Sequence, residues 1–194
     1  MNEKTKVQVQ GVPETMLQTL YARAQESKKP NHHIYDERAI EVVSRLDYDF
    51  SKAESDKAMS LGVIARTIVL DKLVGDFLSH YPHAVVLNIA CGMDTRCYRM
   101  EGTYDRWYNI DLPETMSPFV VKHIKEKSIE KSEAKFAWGV KNGAALEQMI
   151  PRFKNKRDVS LVEGMKVLMP IYKVLGKIPA VRNFSNKVCV MKKK

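Results

Sequence analysis

The sequence predicts an α/β domain with a parallel sheet, entered through a helical segment. Three observations predict it. The run "AVVLNIA" (84–90) is short, rich in β-formers and bounded by turn residues. A second such run, "RWYNIDLP" (106–113), follows after a glycine turn and a short helical stretch. Ahead of the first run, three stretches carry helical periodicity. Parallel neighbours need a crossover between them, so helix, strand, turn, short helix, strand is the opening of such a sheet.

The elements follow in order. A polar arm leads into a helix, "ETMLQTLYARAQES", in which Leu17, Leu20 and Tyr21 share a face with Ala24 one turn on. "KKPNHH" breaks it. Asp36 is placed to cap a second helix, "ERAIEVVSRL". A third helix reads "SLGVIARTIVLDKLVGDFLSHY" and Pro82 ends it. Its apolar positions Leu61, Ile64, Ile68, Leu70, Leu73, Val74 and Phe77 drift around the axis, which predicts packing on more than one side. "AVVLNIA" does not alternate strictly, as expected of a parallel strand covered on both faces. "RWYNIDLP" is the second strand and ends at Asp111.

Farther along, Ser117 and Pro118 start a helix in "SPFVVKHIKEK". "KFAWGV" is a short extended piece, "NGAALEQMI" a short helix and "DVSLVE" a strand. "MKVLMPIYKVLG" is helical, interrupted at Pro170 and expected to pack rather than lie on a membrane surface. "NKVCVMK" is a final strand. There is no internal repeat and no low-complexity linker, so residues 1–194 read as one domain. Its parts are a helical one (1–83), a two-strand one (84–116) and a carboxyl-terminal one (117–194).

Composition narrows the function classes. The 194 residues are 44% hydrophobic and 28% charged, which fits a soluble globular chain. No apolar run is long enough to span a bilayer, and "MNEKTKVQVQ" lacks a secretory core. Cys91, Cys97 and Cys189 form no metal-ligand spacing and no disulfide framework, which points to a reduced, cytoplasmic setting. His32, His33, His80, His83 and His123 share no ligand spacing, so no metal is expected. The formal net charge is +9, but the lysines are dispersed and only Lys192–Lys194 form a run. A solvated surface is expected rather than a nucleic-acid or membrane partner.

The chemistry gathers at the end of "AVVLNIA". In an open α/β sheet, ligands bind beyond the carboxyl ends of the strands. Ala90-Cys91-Gly92 lies at such an end, where small residues let the backbone approach a ligand. Asp111 ends the next strand, where a carboxylate can accept from two ribose hydroxyls. On spacing alone, Gly92 making a turn and Asp111 capping the next segment is an equal reading. The absence of GxGxxG argues against a nicotinamide cofactor.

"NIACGMDTRCYRM" together with "YNIDLPE" closely resembles the signature pair of the leucine carboxyl methyltransferase family, which includes bacterial O-methyltransferases of polyketide synthesis. The resemblance extends upstream through "GVPETMLQTLYARAQESKKPN", "DYDFSK" and "LGVIARTIVLD". It resumes from "SPFVVKHIK" through "KFAWGVKNG" to the carboxyl end. It implies a class I, Rossmann-like methyltransferase fold, S-adenosylmethionine as cofactor, and methyl transfer to a carboxylate or hydroxyl of a small molecule or peptide. Arg66 matches the arginine that pairs with the cofactor's carboxylate, a task suited to a bidentate guanidinium. Ala90 and Gly92 match the loop beneath the cofactor, Asp94 and Arg96 the residues bracing it, and Asp111 the ribose acid. Arg23 lies in the helix that packs over the cofactor and is the weaker candidate, a salt bridge within the protein being the favoured reading. Trp138 matches a position beside the substrate pocket, with a core aromatic as an equal reading. No catalytic residue is implied.

The chain departs from the family near Met116 and Ser117. There the family continues through three further strand–helix units, about 80–90 residues. With them go the acid facing the adenine amine and the "EG" pair at the acceptor pocket. Loss of the third to fifth strands leaves pairs 2-1 and 7-6 of the order 3-2-1-4-5-7-6, separated by roughly 10–15 Å. It also bares a hydrophobic edge on the first strand. Three outcomes stay open: the halves close up, the molecule holds residues not in this sequence, or it is a deletion form that folds poorly. Accordingly the alternative to an enzyme is a shortened, inactive remnant that binds S-adenosylmethionine or serves as an interaction module.

Overall fold

The computed structural model describes residues 4–7, 12–110 and 141–194. They fall into two compact units, one holding the described residues up to 110 and the other residues 141–194. The helix expected from Ser117, the extended piece at "KFAWGV", and with them Asp111, His123 and Trp138, lie outside the described residues.

The first unit begins with β1 (Thr5–Lys6), paired in parallel with β2 (Leu46–Asp47). Helix α1 (Val12–Ser27) buries Leu17, Leu20, Tyr21 and Ala24, the face its spacing predicts. It is buried more widely than that, for Glu14, Gln18, Arg23 and Glu26 are also inside. Buried charges need partners, and two of these find them nearby. Glu14 accepts from Lys52 Nζ at 2.7 Å, and Glu26 from Lys29 Nζ at 2.6 Å. Helix α2 (Glu37–Arg45) is capped as expected, the Asp36 carboxylate accepting from the Ala39 N–H at 3.0 Å. Its Ala39 and Val43, one turn apart, are the buried positions.

A short α3 (Ser51–Ser55) leads into α4 (Lys57–His80). Just ahead of α3, Phe50 stacks on Tyr21 of α1, ring centroids 4.5 Å apart. The long helix starts earlier than its apolar run suggests, because Asp56 caps it by accepting from the Met59 N–H at 2.8 Å. Its buried positions are Met59, Val63, Ile64, Ala65, Thr67, Val69 and Leu78. Ile64 is the buried one among the expected apolar contacts, whereas Phe77 is exposed, its ring tilted against that of Tyr81 with centroids 4.7 Å apart.

Strand β3 (Val85–Ile89) pairs in parallel with β4 (Arg106–Ile110), the register running from Val85↔Arg106 to Ile89↔Ile110. Helix α5 (Arg96–Arg99) makes the crossover. The parallel α/β expectation therefore holds for this pair, and coverage of β3 on both faces does not. Val85, Leu87 and Ile89 are 58%, 58% and 54% exposed. Across the register, Tyr108 and Ile110 expose the same face. Apolar content alone cannot report coverage: it marks a side fit to be buried, and the covering layer must come from elsewhere in the chain.

The second unit opens with α6 (Gly143–Met149), whose N-cap Asn142 accepts from the Ala145 N–H at 2.9 Å. Strand β5 (Phe153–Ser160) is antiparallel to β6 (Lys187–Lys193), with a register shift between Asn155 and Arg157. The strand expected at "DVSLVE" is thus longer upstream and stops at Ser160. The next residues open α7 (Val162–Leu168), which buries Val162 beside Gly176. Pro170 divides the following segment as expected, giving α8 (Tyr172–Leu175), and α9 (Pro179–Phe184) follows. The packed helix expected there is not seen, since Val167, Ile171 and Val174 stay exposed. Among the described residues the strands form three two-stranded sheets rather than one continuous sheet. No helix of the described residues is long and apolar enough to cross a membrane.

Candidate functional site

Strand β3 ends in an abrupt change of backbone. Ala90 takes φ 60° and Gly92 φ 49°, both left-handed. The Cys91 N–H still donates to the Ile110 carbonyl at 3.1 Å, so the turn starts where the parallel ladder stops. The Asp94 N–H donates back to the Cys91 carbonyl at 2.9 Å and closes it. A left-handed alanine costs about 1–2 kcal/mol, so the surroundings must hold it there. Glycine suits position 92 twice over. The conformation is open to it, and a Cβ would lie 3.1 Å from both Cγ and Sδ of Met16 on α1.

The hold comes from side chains. Asp94 accepts from the Arg96 N–H at 3.0 Å, from Asn88 Nδ2 at 2.9 Å and from Arg96 Nη1. Asn88 also donates to Asn109 Oδ1 at 3.1 Å, tying the brace to β4. Arg96 Nε reaches Asp71 of α4 at 2.7 Å. Arg99 grips the same Asp71 with two nitrogens, at 3.0 and 2.9 Å. Its Nη1 donates to Thr95 Oγ1 at 2.8 Å and to Asp36 Oδ2 at 2.9 Å. Thr95 donates its hydroxyl to that same Asp36 oxygen. Three guanidinium groups (Arg23, Arg96, Arg99) thus interlock with three carboxylates (Asp36, Asp71, Asp94) around one turn.

The electrostatics follow from burial. Burial alone would push the Asp36 carboxyl up. The Thr95 hydroxyl, Arg99, the Ala39 amide and Arg23 outweigh it and hold the group below the usual carboxylate value. Burial lowers Arg23, and Asp36 only partly offsets this. Burial also works against Arg99, but Asp71 prevails and raises it. A buried charge in such a network is stable only while every partner stays in place.

The structure places the sequence candidates as follows. Ala90, Gly92, Asp94 and Arg96 come together in the turn, and Asp94 and Arg96 brace it. Arg23 comes to the same place, but its donors go to protein. Its Nε meets Asp36 at 2.9 Å, Nη2 the Met93 carbonyl at 2.5 Å and Nη1 the Thr19 carbonyl at 3.3 Å. Arg66 is half-buried on α4, the helix that also supplies Asp71. Asp111 lies outside the described residues. Sequence reading missed Asp71, Arg99 and the second role of Asp36. The spacing of Arg96 and Arg99 on one turn of helix was the available signal. Asp36 gave none, because a helix cap already accounts for an aspartate there. Among the described residues, no cluster of His, Cys, Asp and Glu could hold a metal ion.

Comparison with known proteins bears on what this turn belongs to. A family model described as leucine carboxyl methyltransferase matches residues 16–148. The chain is 38% identical over 112 residues to the tetracenomycin polyketide synthesis O-methyltransferase TcmP of Streptomyces glaucescens, covering 57% of this chain and 41% of that protein. It is 36% identical over 124 residues to the S-adenosyl-L-methionine-dependent methyltransferase dpfgK of Gibberella zeae, covering 59% of this chain and 42% of that protein. The chain thus spans about two-fifths of the length of these relatives. No solved structure matches it.

Proposed function

Since the chain belongs to the leucine carboxyl methyltransferase family, we propose that it is an S-adenosylmethionine-dependent O-methyltransferase acting on a carboxylate or hydroxyl of a small molecule or peptide. The observation that carries this reading is the left-handed turn Ala90–Gly92 at the carboxyl end of β3. The strained alanine and the left-handed glycine are the kind of backbone that a ligand-hugging turn needs. These residues fit the cofactor: Ala90 and Gly92 would lie beneath it, and Asp94 would keep their shape. Arg66 would pair with its carboxylate and Asp111 would accept from the ribose hydroxyls. In this reading Arg23 acts on the turn rather than on the cofactor, because its donors already meet Asp36, Met93 and Thr19.

The cofactor would supply a methyl group on a positively charged sulfur, open to an acceptor oxygen approaching in line. What the chain contributes is position. A carboxylate acceptor needs no base, and a hydroxyl acceptor needs one that the described residues do not identify. One domain in three parts (1–83, 84–116, 117–194), without nucleic-acid or membrane partners and in the cytoplasm, completes the reading. A second reading is a remnant that binds the cofactor without turnover.

Calorimetry of the full chain with S-adenosylmethionine tests both. Saturable binding is expected. No heat at millimolar cofactor removes both readings, and binding without methylation of any carboxylate or hydroxyl acceptor selects the remnant.

A further inference from the structure

We propose that Asp36 is a positioning residue for the turn between β3 and α5, acting through Thr95 and Arg23; the inference rests on the reading that this turn holds the cofactor. Besides the pairs that Asp71 of α4 makes with Arg96 and Arg99, two sets of bonds hold the turn, and they differ in what they fix. The Asp94 set is local: Asn88, Asp94 and Arg96 belong to the strand end and the turn itself. Such bonds travel with the turn and preserve its shape. The Asp36 set comes from distant chain. Thr95 lies 59 residues after Asp36, and Met93 lies 70 residues after the Arg23 that holds its carbonyl. These bonds fix where the turn sits against α1 and α2.

Asp36 joins the pieces because one carboxylate serves all of them. Oδ1 caps α2 through the Ala39 N–H. Oδ2 accepts from Thr95, from Arg23 Nε at 2.9 Å and from Arg99 Nη1 at 2.9 Å. The Asp36 N–H in turn donates to Ser27 Oγ at 2.9 Å, anchoring it to the end of α1. Asp36 is 1% exposed and Thr95 is buried as well, so water cannot replace either partner. The start of α2, the end of α1 and the left-handed turn therefore move as one body.

The test changes Thr95, which leaves the helix cap and both Asp36 ion pairs in place. Thr95→Val removes the hydroxyl at nearly constant shape, and Thr95→Ser keeps it. Each is measured at a temperature where circular dichroism shows it fully folded. Binding of S-adenosylmethionine is followed by calorimetry, and the Met93 and Asp94 amides by hydrogen exchange. Thr95→Val is expected to bind about tenfold more weakly and Thr95→Ser within about twofold of the unaltered chain. Faster exchange at Met93 and Asp94 is expected in the valine variant alone. Equal affinity of the valine variant and the unaltered chain would overturn the proposal, as would an equal loss in the serine variant. If the unaltered chain binds no cofactor, the function proposed above fails and exchange alone decides this inference. Unchanged Met93 and Asp94 amides in Thr95→Val then overturn it, and faster ones uphold it.

Discussion

Thr95 gives its hydroxyl hydrogen to the Asp36 carboxylate, and Arg99 bonds to both of them. A single buried acid thereby faces two guanidinium groups and one hydroxyl while also capping a helix. Removing one member of such a set strands the others without water.

Asp36→Ala should therefore be among the most damaging single changes in the first unit. It leaves Arg23 and Arg99 short of a buried carboxylate and removes the cap of α2. A loss of about 3–5 kcal/mol is expected from the unpaired charge alone. Asp36→Asn keeps the cap and should cost less. Urea unfolding of the two variants checks this, and equal losses would show that the charge, not the cap, is what matters.

The turn itself makes a paired prediction with different outcomes. Gly92→Ala places a Cβ on a left-handed residue and should destabilise by about 1–2 kcal/mol. The crowding adds little, because the atoms it meets belong to the flexible Met16 side chain. Ala90→Gly relieves a similar strain but loosens the unfolded chain, and should fall within about 0.5 kcal/mol of neutral. Thermal melts of both variants decide it. An Ala90→Gly loss as large as that of Gly92→Ala would mean that Ala90 is not held left-handed in solution.

These two sites show how far the sequence could be read. The order helix, strand, turn, helix, strand was visible in periodicity and turn residues, and the observed α1, α2, α4, β3 and β4 follow it. Local signals carried that much: Asp36 as a cap, Gly92 as a turn and Asp94 as a brace act over a few residues. What stayed hidden acts at a distance. Nothing near Asp71 in sequence says that two arginines of α5 will reach it. Likewise "AVVLNIA" announces a strand fit for burial, while the exposure of Val85, Leu87 and Ile89 depends on the layer that would cover them.

Arg66→Ala tests the proposed carboxylate contact of the cofactor. A charge-assisted pairing is worth about 1.5–3 kcal/mol, so affinity for S-adenosylmethionine should fall at least tenfold. S-adenosylhomocysteine carries the same carboxylate and should lose as much. Unchanged affinity for either ligand in calorimetry would remove Arg66 from the site.

Cys189 should be a slow thiol. Burial first, and then the Asp158 carboxylate beside it, push its thiol up to about 11. At pH 8 its thiolate population is about two orders of magnitude below that of an ordinary thiol. Iodoacetamide labelling read by peptide mass should find Cys189 modified far more slowly than a free cysteine peptide. Equal rates would show that β6 opens readily around it.

Acid should weaken the fold partly through Glu26. Burial would raise this carboxyl. Lys29 at 2.6 Å, and the His33 amide and ring at 3.0 and 2.9 Å, outweigh burial and bring it down to about 2. A folded-state value below the unfolded one means stability that is present above the unfolded pKa of about 4.3 and is lost as pH falls toward 2. Lys29 is largely in water, so screening reduces the contribution to about 1–3 kcal/mol. Asp36 is also held below its ordinary value and adds a loss of the same sign. Urea unfolding of the unaltered chain and of Glu26→Gln between pH 2 and 6 isolates the first group. The two curves should lie apart near pH 6 and converge toward pH 2. A constant gap across that range would show that Glu26 is not held ionised by its neighbours.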